Sequence, residues 1–163
     1  MTPETEELLL DVSARLEWAV TARDCPAIVS IRGTRQWTMS DYDYLRDDAT
    51  AAAFEQHAAH KARTVEARVW VFMVSMVVVF QDDCVLGRPV ANLPLREGEQ
   101  EALMWTSYHA TDGIDFGMVP YTRCPSGEPV YDDPEVFEDP IRAEDADPGR
   151  LMRATFLAGE PEA

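Results

Sequence analysis

The sequence predicts an α+β fold, a single domain in which two N-terminal helices pack on an antiparallel β-sheet that is free to curve. Three observations lead there. Val69 to Phe80 is a nearly unbroken apolar run of 12 residues, six of them valine. Asp112-Gly113 separates two runs of strand length. Before both, apolar residues recur at helical spacing from Leu8 to Val20.

The Val69 to Phe80 run is too short for a membrane span, which needs roughly 20 apolar residues to cross about 30 Å of hydrocarbon. Its β-branched and aromatic content favours a strand. Trp70, Phe72, Val74, Met76, Val78 and Phe80 then face one side, and Val69, Val71, Met73, Ser75, Val77 and Val79 the other. With both faces apolar, it belongs in the middle of a sheet covered on both sides by helices, a second layer or another subunit. A homodimer is one expectation.

The first helix starts well. Thr2 caps it, Pro3 suits its first position, and Glu4, Glu6 and Glu7 lie where the helix dipole favours negative charge. Leu8, Leu9, Val12, Leu16, Ala19 and Val20 form its packing stripe, with Asp11, Arg15 and Arg23 outward. Pro26 ends it by about Asp24. Ala27 to Ile31 is a short strand, and Arg32-Gly33-Thr34 the turn leaving it. Ser40, with Asp43 three residues on, resembles a capping box for a second, alanine-rich helix reaching Lys61 or Arg63.

After the central strand, Asp82 to Glu99 reads as loop, punctuated by Gly87, Pro89, Pro94 and Gly98. Glu101 to Ala110 and Ile114 to Arg123 form a hairpin around a two-residue Asp112-Gly113 turn. That turn pairs Thr111 with Ile114, His109 with Phe116, Ser107 with Met118 and Trp105 with Pro120. Tyr108 then lies opposite Gly117, where a bulge is expected. Pro120 makes the second hairpin strand an edge, or bends it.

Residues 125–150 hold most of the remaining prolines, and read as a proline- and acid-rich strap across the domain. Leu151 to Leu157 reads as a last short strand. The single domain thus spans 1–157, with 158–163 a frayed tail.

Thirty acids against 14 bases give the 163-residue chain a formal charge of −16, which repels phosphate backbones and anionic surfaces. Nucleic-acid and membrane partners are therefore not expected. The excess is concentrated late: residues 125–163 carry 11 acids and three bases. Cys25, Cys84 and Cys124 are odd in number and widely spaced, and Met1-Thr2-Pro3-Glu4 does not resemble a signal peptide. Free thiols and a cytoplasmic location follow.

No catalytic signature, nucleotide loop or strong metal spacing is present, so no cofactor, no metal and no catalytic residue is assigned, and an enzyme is not the first reading. His57 and His60 share a side of the second helix, but three-residue spacing alone is a weak metal signal. Asp82 and Asp83 are ordinary turn carboxylates after a strand.

Two function classes remain. The first is an interaction module that binds a basic protein, in the manner of an inhibitor or immunity protein, through Asp132, Asp133, Glu135, Glu138 and Asp139. The second is a small-molecule-binding domain or simple acid-base enzyme with a pocket between helices and sheet. Trp105, Tyr108, His109, Phe116 and Tyr121 would line it. A cavity containing His109 would favour the second class, and a filled core there would remove its basis.

Overall fold

The computed structural model describes residues 1–81, 84–90, 94–137, 142–143 and 148–158. It is a curled antiparallel sheet with an N-terminal helix against it. Helix α1 (Pro3–Thr21) begins as its sequence dictates, with Thr2 Oγ1 accepting from Thr5 N at 3.1 Å and Pro3 in the first turn. Its buried stripe contains Leu8, Leu9, Val12, Leu16, Ala19 and Val20, while Asp11 and Arg15 pair on the outer face at 3.1 Å.

Strand β1 (Ala27–Arg32) forms a hairpin with β2 (Gln36–Asp41), and here the sequence reading needs correction. Residues 36–41 extend the sheet, so the helix expected from Ser40 begins later, as α2 (Asp48–Thr64). Asp47 is its cap, with Oδ1 accepting from Thr50 N at 2.7 Å. Between β2 and α2, Tyr44 turns inward and meets the rings of Phe54 and Phe72. Burying that ring is worth more than the extra helical turns would be.

The central strand is β3 (Val69–Gln81), antiparallel to β1 over its first half and to β5 (Gln100–His109) along its length. Beyond β1, its second half pairs with β4 (Cys84–Pro89), inside the stretch expected to be loop. The hairpin immediately after so long a strand covers backbone that β1 is too short to reach.

Both faces of β3 are covered by the chain itself from Val69 to Val78. Val69, Val71 and Met73 pack with Leu103, Trp105, Val119 and Tyr121 under α1. Trp70, Phe72, Val74, Met76 and Val78 pack with Phe54, Ala58, Ala59 and Ala62 of α2 and with Met152. The apolar faces that suggested a dimer through this strand therefore have intramolecular partners.

Strand β6 (Gly113–Arg123) completes the long hairpin in a different register from the expected one. His109 lies opposite Gly113, Ser107 opposite Asp115 and Trp105 opposite Gly117. A two-residue type I′ turn needs positive φ at both centres, but only Gly113 adopts it, at 79°. Ala110 to Asp112 form the connection instead, and the pairing shifts by three residues. An odd shift moves every β6 side chain to the other face. Gly117 then lies under the Trp105 indole, where a Cβ would overlap both that ring and Glu135 O.

Short strands β7 (Pro129–Tyr131) and β8 (Glu135–Val136) line the outer side of β6 on either side of Pro120. The two-residue strand β9 (Arg142–Ala143) runs parallel to β4. The chain then forms a helix, α3 (Arg150–Leu157), and not the expected strand. Met152 and Phe156, four apart, share its inward side; Phe156 meets Trp70 and Tyr108 edge-on, at centroid distances of 6.1 and 4.8 Å.

Candidate functional site

The acidic strap is fixed to the sheet. Tyr131 pairs with Tyr121 in β7, Asp132 N donates to Pro120 O at 2.9 Å, and Phe137 N donates to Phe116 O at 2.8 Å. Between these anchors Asp132, Asp133 and Glu135 are exposed, and none joins an ion pair among the described residues. Val130 and Val136, 52% and 45% exposed, flank them. Glu138 and Asp139, grouped with them on sequence, lie outside the described residues, as do Asp82 and Asp83.

Elsewhere several arginines are paired with nearby carboxylates. Arg32 pairs with Glu7, Arg46 with Asp43 and Asp47, and Arg68 with Glu4. Arg88 forks onto Glu99 at 2.7 and 2.9 Å, and with the Arg96 amide holds the Glu99 carboxyl down at about 2. Arg123 Nε lies 2.9 Å from the buried Glu101 carboxylate. Asp132, Asp133 and Glu135 thus belong to the acids left without such a partner among the described residues, as do Glu6, Asp48 and Glu97 elsewhere.

The five residues of the expected pocket are divided between the two layers of the core. Trp105 and Tyr121 are buried in the layer under α1, with Tyr121 Oη 2.7 Å from Ser75 Oγ. Tyr108 packs in the opposite layer, and Phe116 lies under the Arg153 guanidinium. His109 sits near the start of α1: Nδ1 accepts from Thr111 N at 3.1 Å, and Nε2 lies 3.6 Å from Glu4. Arg68 beside Glu4 lowers that carboxyl's pKa. His109 is buried, 9% exposed.

Sequence reading passed over Glu55. It occupies the inward side of α2 with Ala58, Ala59 and Ala62, and is only 5% exposed. Tyr44 Oη donates to Glu55 Oε2 at 2.7 Å, and Met152 N donates to Oε1 at 3.1 Å. Gly149 offers no side-chain cap to α3, so a carboxylate from α2 supplies it. Burial raises the Glu55 pKa against the opposing hydrogen bonds. The residue borders a cleft of about 800 Å³ between α2, α3 and the Tyr44–Asp48 turn. An acid within the apolar spacing Phe54, Ala58, Ala62 was the signal that could have found it.

His57 and His60 are exposed on α2, and no group of three metal-ligating side chains occurs among the described residues. Cys25 is half-buried, which raises its thiol pKa and makes it a poor nucleophile. No described helix is long and apolar enough to cross a membrane. No protein-family model, curated protein or solved structure matches the chain.

Proposed function

We propose that this chain is a protein-interaction module of the inhibitor or immunity type, acting in the cytoplasm and docking a basic partner along Pro129–Val136. The observation that carries the reading is the presentation of Asp132, Asp133 and Glu135. They are exposed and join no ion pair among the described residues, and their backbone is hydrogen-bonded to β6 on both sides. A fixed charge array loses little conformational entropy on binding. The flanking Val130 and Val136 supply apolar area that charge alone does not give. Glu138 and Asp139 belong to the same acidic stretch of the sequence.

The test is capture from the native host's lysate with the wild type and with the Asp132→Asn, Asp133→Asn, Glu135→Gln variant. A basic protein held by the wild type, released by salt and absent from the variant supports the reading. Identical sets on both refute it.

A second reading, a small-molecule-binding domain or simple acid-base enzyme, draws on the cleft beside Glu55 and Tyr44. A cationic ligand that raises the melting temperature of the wild type and not of Glu55→Gln would favour it. A screen without such a ligand would count against it.

A further inference from the structure

The two edges of the sheet are built differently. The outer side of β6 is broken by Pro120 and screened by Pro129, Asp132, Asp133, Pro134 and Glu135, devices that discourage strand pairing. The opposite edge is β2, for which β1 is the sole strand neighbour among the described residues. Its sequence, Gln36-Trp37-Thr38-Met39-Ser40-Asp41, has no proline and a charge only at its end.

Which backbone groups that edge offers follows from the ladder. Ala110 N donates to Arg68 O and Arg68 N to Arg32 O, both at 2.8 Å. Even residues of β3 therefore direct their carbonyls to β5, and Arg32, Ser30 and Ile28 direct theirs to β3. By alternation Ala27, Val29 and Ile31 face β2, where they meet Asp41, Met39 and Trp37. Gly33 N donating to Arg35 O at 3.0 Å agrees. The N–H and C=O groups of Gln36, Thr38 and Ser40 are left pointing outward.

We propose that β2 pairs antiparallel with β2 of a second copy, about a two-fold axis that is perpendicular to the sheet and passes midway between the two Thr38 residues. Such an axis requires residues of the same parity to face one another. Centred on Thr38, it sets Thr38 against Thr38 and Gln36 against the second copy's Ser40, both hydrogen-bonded pairs that use the outward groups. The alternating positions set Trp37 against the second copy's Met39, and Arg35 against its Asp41.

Charge complementarity selects this occupant. Arg35 is exposed and has no ion-pair partner among the described residues, so an antiparallel copy brings opposite charges together at both ends of the ladder. Trp37, 40% exposed with Lys61 Nζ 4.4 Å above its ring, gains apolar cover from Met39. This dimer uses a different surface from the acidic strap, so both copies keep that edge accessible.

Sedimentation equilibrium over a micromolar to near-millimolar concentration series tests it. The wild type is expected to pass from monomer to dimer. Thr38→Pro removes an outward N–H while leaving the β1 ladder intact, and is expected to abolish the transition with the circular dichroism unchanged. Arg35→Glu and Asp41→Arg, each alone, are expected to weaken dimerisation at least tenfold, and their equimolar mixture to restore it, because the mixed pair regains both opposite-charge contacts. A wild type that stays monomeric throughout overturns the proposal. So does a dimer indifferent to Arg35→Glu, a change in an exposed turn that does not threaten folding.

Discussion

Glu55 offers the sharpest test of how the molecule is held together. Its carboxylate joins α2 to the start of α3 and to Tyr44, and it is almost fully buried. Glu55→Ala leaves the Met152 amide without this acceptor and removes one hydrogen bond of the Tyr44 hydroxyl. An unsatisfied buried group costs about 1–3 kcal/mol, while removal of a buried charge offsets part of that. A net loss of about 1–3 kcal/mol is expected, an appreciable share of the roughly 5–15 kcal/mol that stabilises a domain. Glu55→Gln keeps an acceptor for Met152 and a donor for Tyr44, so its cost should stay below about 1 kcal/mol.

The same residue has a pH signature. Because burial raises the folded-state pKa above 4.5, the folded protein retains a proton that the unfolded chain has lost. This contribution is fully present below 4.5 and disappears as pH rises through the folded value. Urea unfolding followed by tryptophan fluorescence across that window should show the slope in the wild type and its absence in Glu55→Gln. An alanine variant within 0.5 kcal/mol of wild type, by the linear extrapolation, would refute the reasoning. A glutamine variant as unstable as the alanine one would do the same.

Three further outcomes follow from the geometry. Gly117→Ala forces a methyl against the Trp105 ring and Glu135 O and should cost about 1–3 kcal/mol or more by overpacking, read as a drop in the urea midpoint. Glu99, held at about 2 by Arg88 and the Arg96 amide, stabilises the fold above the ordinary 4.5 and loses that effect as pH falls toward about 2; Arg88→Gln should flatten this acid limb of the stability curve. Burial pushes the Tyr131 phenol up to about 12, so its ultraviolet ionisation should lag behind that of free tyrosine, and a transition near 10 assigned to Tyr131 would contradict the packing.

The strongest sequence signals were those in which one local rule and one burial pattern agreed. Thr2, Pro3 and the Leu8 to Val20 stripe specify α1 from both directions, and the β-branched content of the valine-rich run, apolar on both faces, favours the central strand that it forms. The misreadings came where tertiary contacts outweighed local preference. Ser40 looks like a cap, yet pairing of residues 36–41 with β1 and insertion of Tyr44 into the core delay the helix to Asp48. Asp112-Gly113 signals a tight turn, but Asp112 does not take positive φ, and the register moves by three.

Leu151 to Leu157 is ambiguous alone; its helix depends on a cap from Glu55, nearly a hundred residues earlier. For the candidate site, the acid content of residues 132–135 was plain. Its attachment to β6 was not, because pairing across Pro120 leaves no periodic trace. The aromatic group around His109 was divided by strand alternation and by the register shift together.

The most direct test of the acidic edge is a titration of the isotope-labelled protein with a short basic peptide of alternating lysine and valine, followed by amide chemical-shift changes. The interaction reading predicts that the largest changes cluster at Val130 to Phe137, disappear with added salt and are lost in the Asp132→Asn, Asp133→Asn, Glu135→Gln variant. Changes spread evenly over all acidic surfaces, or centred on α1 or α2, would contradict it.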